Sequence, residues 1–320
     1  NSLRYIQFYE GFLLAVEQLR QAGLSLNLYV YDVDPDPSNT YKMLRKSEMA
    51  NMDLIVGMMF HRNFQIVASW ARKQHIPIIS PISRRTSQLE GNPMVIKIRP
   101  TYSSIGARLI EYLSSYFPYA HTLIVRDNEP DMRQIADQVL TNGISMGLDV
   151  SVIEDKNLIN HLIPAAENVV VVVSNKKTYA LDKLAQLNAD TMDFNFTVFG
   201  IPGWDQFKGM DYEYLVKART HVMTPYFVDY KDDAVRNFVE LFQQNYKTDP
   251  DLLAFQGYDI AWYFLQALHD FGTDFLYCLR EIQTRPLQTR YKFRQYEGDG
   301  WENHHWEIIR YDNYAIYRIE

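Results

Sequence analysis

The chain has 320 residues, 47% hydrophobic and 22% charged, with 32 Lys and Arg against 39 Asp and Glu for a net charge of −7. That length suits two domains of about 100–200 residues. The acidic balance argues against nucleic-acid binding, which needs a basic face to neutralise phosphates. The longest apolar runs, such as 169–173, end at once in Ser174, Asn175 and Lys176, far below the roughly 20 residues that span a bilayer. No secretion signal opens the chain; its start inside a helical pattern suggests a trimmed N-terminus and leaves the compartment open. Cys278 is the only cysteine, so there is no internal disulfide framework to read.

In chain order, residues 2–22 place apolar side chains at Leu3, Ile6, Phe8, Phe12, Leu13, Val16 and Leu19, a helical period that stops at Gly23. Residues 26–33, LNLYVYDV, read as a strand that ends in the turn-rich Asp34-Pro35-Asp36-Pro37-Ser38-Asn39. A helix over 40–50, a strand over 53–57, a helix over 63–74 and a short strand over 76–80 follow.

The rhythm repeats beyond Arg99-Pro100, with helices over 103–116, 131–146 and 178–187 and strands over 121–126, 148–153, 168–173 and 194–199. Strands separated by helices of this length mean βαβ units and parallel sheets. Two such arrays predict an α/β protein of two Rossmann-like lobes. From Asp229 the pattern turns helical over 232–246, 252–271 and 274–284, and the tail over 290–319 alternates polar and aromatic residues as short antiparallel strands do. The first array opens on a helix, whereas parallel sheets of this kind normally open on a strand, so a first strand before Asn1 is expected.

Several segments carry a resemblance. Tyr31-Asp32-Val33-Asp34 with Asp36-Pro37, Asp53-Leu54-Ile55-Val56-Gly57, His75-Ile76-Pro77-Ile78-Ile79-Ser80-Pro81, Ile98-Arg99-Pro100 with Tyr102, and Gln256-Gly257-Tyr258-Asp259-Ile260-Ala261 occur in this order. Together they resemble the type I periplasmic binding proteins, such as the branched-chain amino-acid receptors of ABC transporters. No single motif is specific, but their order covers nearly the whole chain. The segment 199–204 and the aromatic tail look closer to envelope proteins of Bacteroidetes type with this fold, some found beside peptidoglycan-binding modules; a related fold occurs in lipoprotein activators of peptidoglycan synthases. The resemblance implies lobe 1 as 1–99 with 226–286 and lobe 2 as 100–225 with 287–320. It places a ligand in the cleft at the carboxyl ends of the strands, where open α/β sheets generally bind.

In that family a hydroxyl and the backbone amides of a helix N-terminus hold the ligand carboxylate. The corresponding loop after Gly57 lacks the usual Ser pair and offers His61 or Asn63 as donors and Arg62 as charge; the alternative is an ordinary helix-capping loop. In the second loop Ser83 keeps a polar contact and Arg84 stands where the family has a small residue. Either Arg84 projects toward the ligand and favours an anion over a small apolar amino acid, or it belongs to a solvated Arg pair. From lobe 2 come Asp127 and Asn128, whose carboxylate suits an α-amino group, with Ser174, Asn175, Trp204 and Asp205 at equivalent strand ends. Trp204 either stacks on a ligand ring or packs between elements.

Three patterns mimic other chemistry. Gly143-Ile144-Ser145-Met146-Gly147 fits G-x-S-x-G, but it closes a helix instead of following a strand. Asp32, Asp34 and Asp36 have EF-hand spacing, yet Pro37 takes the Gly position and Met43 the final Glu position. His304 and His305 beside Glu302 point to opposite strand faces, which disfavours a metal. No cofactor motif is present, and no enzyme reading has an anchor.

The expectation is an extracytoplasmic, periplasmic or envelope-associated solute-binding protein that closes on a small amino-acid-like ligand, with a membrane permease or a cell-wall component as further partner. The alternative is a peptidoglycan-associated regulatory module that keeps the fold without transport.

Overall fold

The computed structural model describes every residue except 1–4, 58–59, 155–156, 190–193, 208, 283, 285, 314 and 320. The chain opens with α1 (Ile6–Gln21), α2 (Pro37–Leu44), β1 (Ile55–Val56), α3 (His61–Gln74), β2 (Ile78–Ser80) and β3 (Val95–Lys97). Helix α2 starts where Asp36 accepts from the Ser38 amide at 2.9 Å, with Pro37 in its first turn, the cap and proline arrangement that satisfies free helix-end amides.

There follow α4 (Ile105–Tyr116), β4 (His121–Arg126), α5 (Pro130–Ser145), β5 (Val150–Ile153), β6 (Glu167–Val173), α6 (Lys177–Ala189), β7 (Asn195–Gly200), α7 (Tyr212–Lys217) and β8 (His221–Thr224). The chain then runs through α8 (Asp233–Tyr246), α9 (Leu252–Phe271), β9 (Phe293–Gln295), β10 (Trp301–Asn303), β11 (Glu307–Asp312) and β12 (Ala315–Arg318).

These elements form two units, 1–100 with 228–305 and 101–227 with 306–320. The first holds a five-stranded sheet of order β1-β2-β3-β10-β9 and the second a seven-stranded sheet of order β12-β11-β8-β7-β6-β4-β5. Both are mainly parallel and flanked by helices. Antiparallel pairs are confined to the tail strands, β9 with β10 and β11 with β12 and β8. The valines of β6 are all buried, as expected of a central parallel strand covered on both faces.

In the first unit α1 and α9 cross at Gly11 and Gly257, where a Cβ on either would run into backbone of the other helix. Asp259, 1% exposed, accepts from the amides of Leu287, Gln288 and Thr289 at 2.7, 2.8 and 3.0 Å. It pins the segment that leads into β9 against α9.

Several expectations need correction. Residues 26–33 form no strand, because no described strand lies beside them to supply a ladder. The helix expected over 274–284 is a 3-10 turn, Gly272–Cys278. The segment 287–305, expected in lobe 2, lies in the first unit because β10 pairs with β3, Trp301 opposite Ile96 and Glu302 opposite Lys97. Neither α7 nor β8 was anticipated; both are short and their periodicity is weak. Ser145 is the last residue of α5 and Gly147 sits at φ +75°, so this serine occupies a helix end.

Candidate functional site

In the first unit the carboxyl ends of the strands carry a cationic group of side chains. Helix α3 follows β1, and among the described residues no side chain caps its N-terminus, where first-turn amides have no partner within the helix. Residues 58–59 of the preceding loop lie outside the described residues. His61 is half-buried and its Nδ1 has no hydrogen-bond partner among the described residues. Burial, then the charge of Arg85, hold its pKa below the ordinary histidine value, so the ring is neutral near pH 7.

Asn63 is fully buried and donates to the Asp34 carbonyl at 2.8 Å and to Thr40 Oγ1 at 3.0 Å. It ties α3 to the start of α2, with its amide nitrogen committed to that tie. Arg62 is exposed, and its charge reaches Asp36. After β2, Ser83 Oγ accepts from the Arg85 amide at 3.2 Å and Arg84 is exposed. The Pro81 carbonyl is held from α9 by Gln256 Nε2 at 2.9 Å.

The end of β3 supplies a feature the sequence reading passed over. Lys97 is 0% exposed and donates to Glu302 Oε1 at 3.1 Å and to the Arg99 carbonyl. Burial lowers its pKa; Glu302 opposes the shift, and the positive charges of Arg99 and Arg84 add to it. His304 lies 3.6 Å from the other Glu302 oxygen. A signal was present: a lysine between Ile96 and Ile98 in a central strand requires a partner, since an isolated buried charge is unaffordable.

In the second unit the strand ends are braced internally. Asp127, after β4, accepts from Ser174 Oγ at 2.5 Å and from the Glu129 amide at 2.9 Å. Ser174, after β6, is 0% exposed and its hydroxyl also accepts from the Lys176 amide at 3.1 Å. Trp204, 2% exposed, donates Nε1 to the Ser174 carbonyl at 3.0 Å and lies on Gly200, where a Cβ would meet its ring. The Trp204 ring is enclosed by residues of its own unit. Asp205 is half-buried and accepts from the Gly203 amide at 3.2 Å. Asn128 and Asn175 are exposed. The structure thus gathers Asp127, Ser174 and Trp204 into one internal brace and leaves Asn128, Asn175 and part of Asp205 facing solvent.

Among the described residues no group of three or more His, Cys, Asp or Glu is placed to hold a metal, and no helix is long and apolar enough to cross a membrane.

A periplasmic binding protein family profile matches residues 7–277. The chain belongs to that family. Periplasmic binding proteins are solute-binding and non-enzymatic, and the family implies an extracytoplasmic location. No curated protein matches the sequence.

Among solved structures, a protein from Rhodospirillum rubrum assigned as a branched-chain amino acid ABC transporter superposes with a TM-score of 0.75 at 14% identity, covering 98% of this chain and 94% of that one. An ABC transporter substrate-binding protein from Desulfitobacterium hafniense in complex with Leu gives 0.61 at 14% identity, over 98% and 95%. The C-domain of LpoA from Haemophilus influenzae, a regulator of PBP1A, gives 0.60 at 11% identity, over 98% and 95%. At these identities the likeness is one of fold, and it gives this periplasmic binding protein the two-lobed type I architecture.

Proposed function

We propose that this chain is the solute-binding component of an ABC-type uptake system, and that its two lobes close on a small polar ligand carrying an anionic group, such as an amino acid. The observation that supports this reading is the run of cations at the strand ends of the first unit. Arg62, Arg84 and Arg85 are exposed there, beside an uncapped helix start. The buried lysine of that edge is already matched by Glu302. Fixed positive charge and free helix amides favour a carboxylate. The Desulfitobacterium hafniense protein of like fold holds Leu, whose carboxylate has that chemistry. A membrane permease is the partner that completes such a system.

Arg84 standing in place of a small residue argues for a ligand more anionic than leucine. A second reading rests on the internal brace in the second unit. With Asp127, Ser174 and Trp204 spoken for, few polar groups remain there for a ligand, and the fold is shared with a regulator of PBP1A. In that case the chain acts as an envelope interaction module and binds a protein or peptidoglycan.

A thermal-shift screen against amino acids, dicarboxylates and peptidoglycan fragments tests the first reading. Ligand at 100 times its Kd adds about 2.7 kcal/mol of stability. A shift that Arg84→Ala abolishes, with the ligand-free melting temperature unchanged, supports solute binding. No shift with any small molecule, together with retention on peptidoglycan, replaces it with the second reading.

A further inference from the structure

Strands β1, β2 and β3 run parallel, with β2 paired to both of the others. The loops that leave their carboxyl ends therefore emerge side by side, at strand spacings of about 5 Å. Those loops, 57–63, 81–88 and 98–101, carry Arg62, Arg84, Arg85 and Arg99 and contain neither Asp nor Glu. In a chain of net charge −7 this is a local reversal of sign. The charges of Arg84 and Arg99 both act on Lys97, and that of Arg85 acts on His61. Lys97 itself is answered by Glu302 at 3.1 Å, so the arginines set the sign of this edge.

Like charges gathered at one edge raise the local potential and draw anions to it. A carboxylate has two oxygens and about four lone-pair sites, and a guanidinium fork uses two of them in a bidentate pair. One carboxylate therefore engages about two arginines, and four arginines match two anionic groups. The opposite chemistry is taken up inside the second unit. Asp127 is held by Ser174 Oγ and the Glu129 amide, Glu129 by Lys176 Nζ at 2.6 Å, and Asp205 by the Gly203 amide. These carboxylates brace their own loops, whereas the α-ammonium of a bound amino acid needs a carboxylate directed at it.

We infer that the first unit takes a small acid with two or more carboxylate or phosphate groups and no ammonium group, bound against Arg62, Arg84, Arg85 and Arg99. The inference rests on the solute-binding reading and narrows it. It sets aside the amino acids with a single carboxylate: their ammonium is repelled by the arginines, and they bring one anionic group where two are matched. Arg62, Arg84 and Arg85 are exposed and Arg99 is half-buried, so the planar forks that suit carboxylate and phosphate oxygens reach solvent at this edge.

Isothermal titration at fixed ionic strength, with citrate, succinate, pyrophosphate and leucine as probes, tests this. Citrate or pyrophosphate is expected to bind with a Kd at least about tenfold below that of leucine, the factor one charge-assisted hydrogen bond supplies. Which of the two binds more tightly tells carboxylate from phosphate. Arg84→Gln and Arg85→Gln should each weaken that binding by about tenfold or more. Arg72→Gln, an exposed arginine in the last turn of α3, should leave it unchanged. If a variant does not fold, the order of affinities in the parent protein decides. Leucine bound as tightly as the polyanions overturns the inference and leaves solute binding standing. Affinity lowered as much by Arg72→Gln as by Arg84→Gln overturns it by showing diffuse attraction in place of a site. Binding of none of the four also overturns it, and if the wider thermal-shift screen is silent as well, the solute-binding reading falls with it.

Discussion

Lys97 on β3 and Glu302 on β10 lie opposite each other in register, both withdrawn from water, with Nζ 3.1 Å from Oε1. Residues paired across a parallel ladder project to the same face, so the two charges meet because β10 returns from the far end of the chain to pair with β3. Each charge is tolerable only in the presence of the other.

Glu302→Gln is therefore expected to destabilise the protein by about 3–5 kcal/mol, because it strands a buried ammonium. The double replacement Lys97→Met with Glu302→Leu should recover most of that loss, since a buried ion pair rarely outperforms well-packed apolar side chains. Urea denaturation of the three proteins checks this; equal loss in the single and double variants would show that the pair contributes no coupling.

His221 on β8 is stacked on Phe199 with ring centroids 4.7 Å apart and donates Nδ1 to the Arg219 carbonyl at 2.7 Å. Burial lowers its pKa to about 4 from 6.5, with the Arg219 carbonyl opposing and the charges of Arg310 and Arg219 assisting. The folded pKa lies below the unfolded one, so the unfolded chain binds the extra proton in between. The stability associated with the neutral ring is complete above about pH 6.5 and is lost as pH falls toward 4, on the order of 3 kcal/mol in all. His221→Phe should melt with a shallower pH dependence across that window than the parent protein. Parallel curves for the two would refute the assignment.

The Asp259 carboxylate receives three backbone amides, from Leu287, Gln288 and Thr289. Asp259→Ala leaves those buried donors without an acceptor and should cost at least about 3 kcal/mol. Asp259→Asn, which keeps one acceptor oxygen, should cost less. The ordering of the urea midpoints, parent then Asn then Ala, is the readout.

Trp204 fills space over Gly200 and holds the Ser174 carbonyl. Trp204→Ala should cost about 3–5 kcal/mol through the cavity it opens. Trp204→Phe keeps the ring and loses one hydrogen bond, about 1 kcal/mol, with ligand affinity unchanged. A Phe variant of parental stability that no longer binds the solute would instead place the indole against the ligand.

Much of the fold was legible locally. The 3.6-residue period over 252–271 matches α9, and 121–126 matches β4, because a long amphipathic or wholly apolar run admits one element and one face. The order of strands and helices was enough to indicate parallel sheets. The site was less legible. Asn63, Asp127, Ser174 and Trp204 stand at strand or helix ends where ligand contacts are expected, and the same polar chemistry serves equally to brace a loop. Which task an atom performs depends on the neighbour that reaches it, and those neighbours, Asp34 and Thr40 for Asn63 and Ser174 for Asp127, are distant in sequence.

The sequence alone settled the class of this protein: an acidic α/β chain of repeated strand–helix units, periodic enough to imply two parallel sheets. Those features follow from hydrophobic period and turn chemistry, which act over a few residues. Tertiary structure decided the rest. It put β9 and β10 beside β3, matched Lys97 to Glu302, and left 26–33 without a ladder despite their strand-like alternation. A strand exists only when a neighbour takes up its backbone hydrogen bonds, and a buried charge survives only when a partner arrives from elsewhere. Neither condition is written within the segment that depends on it.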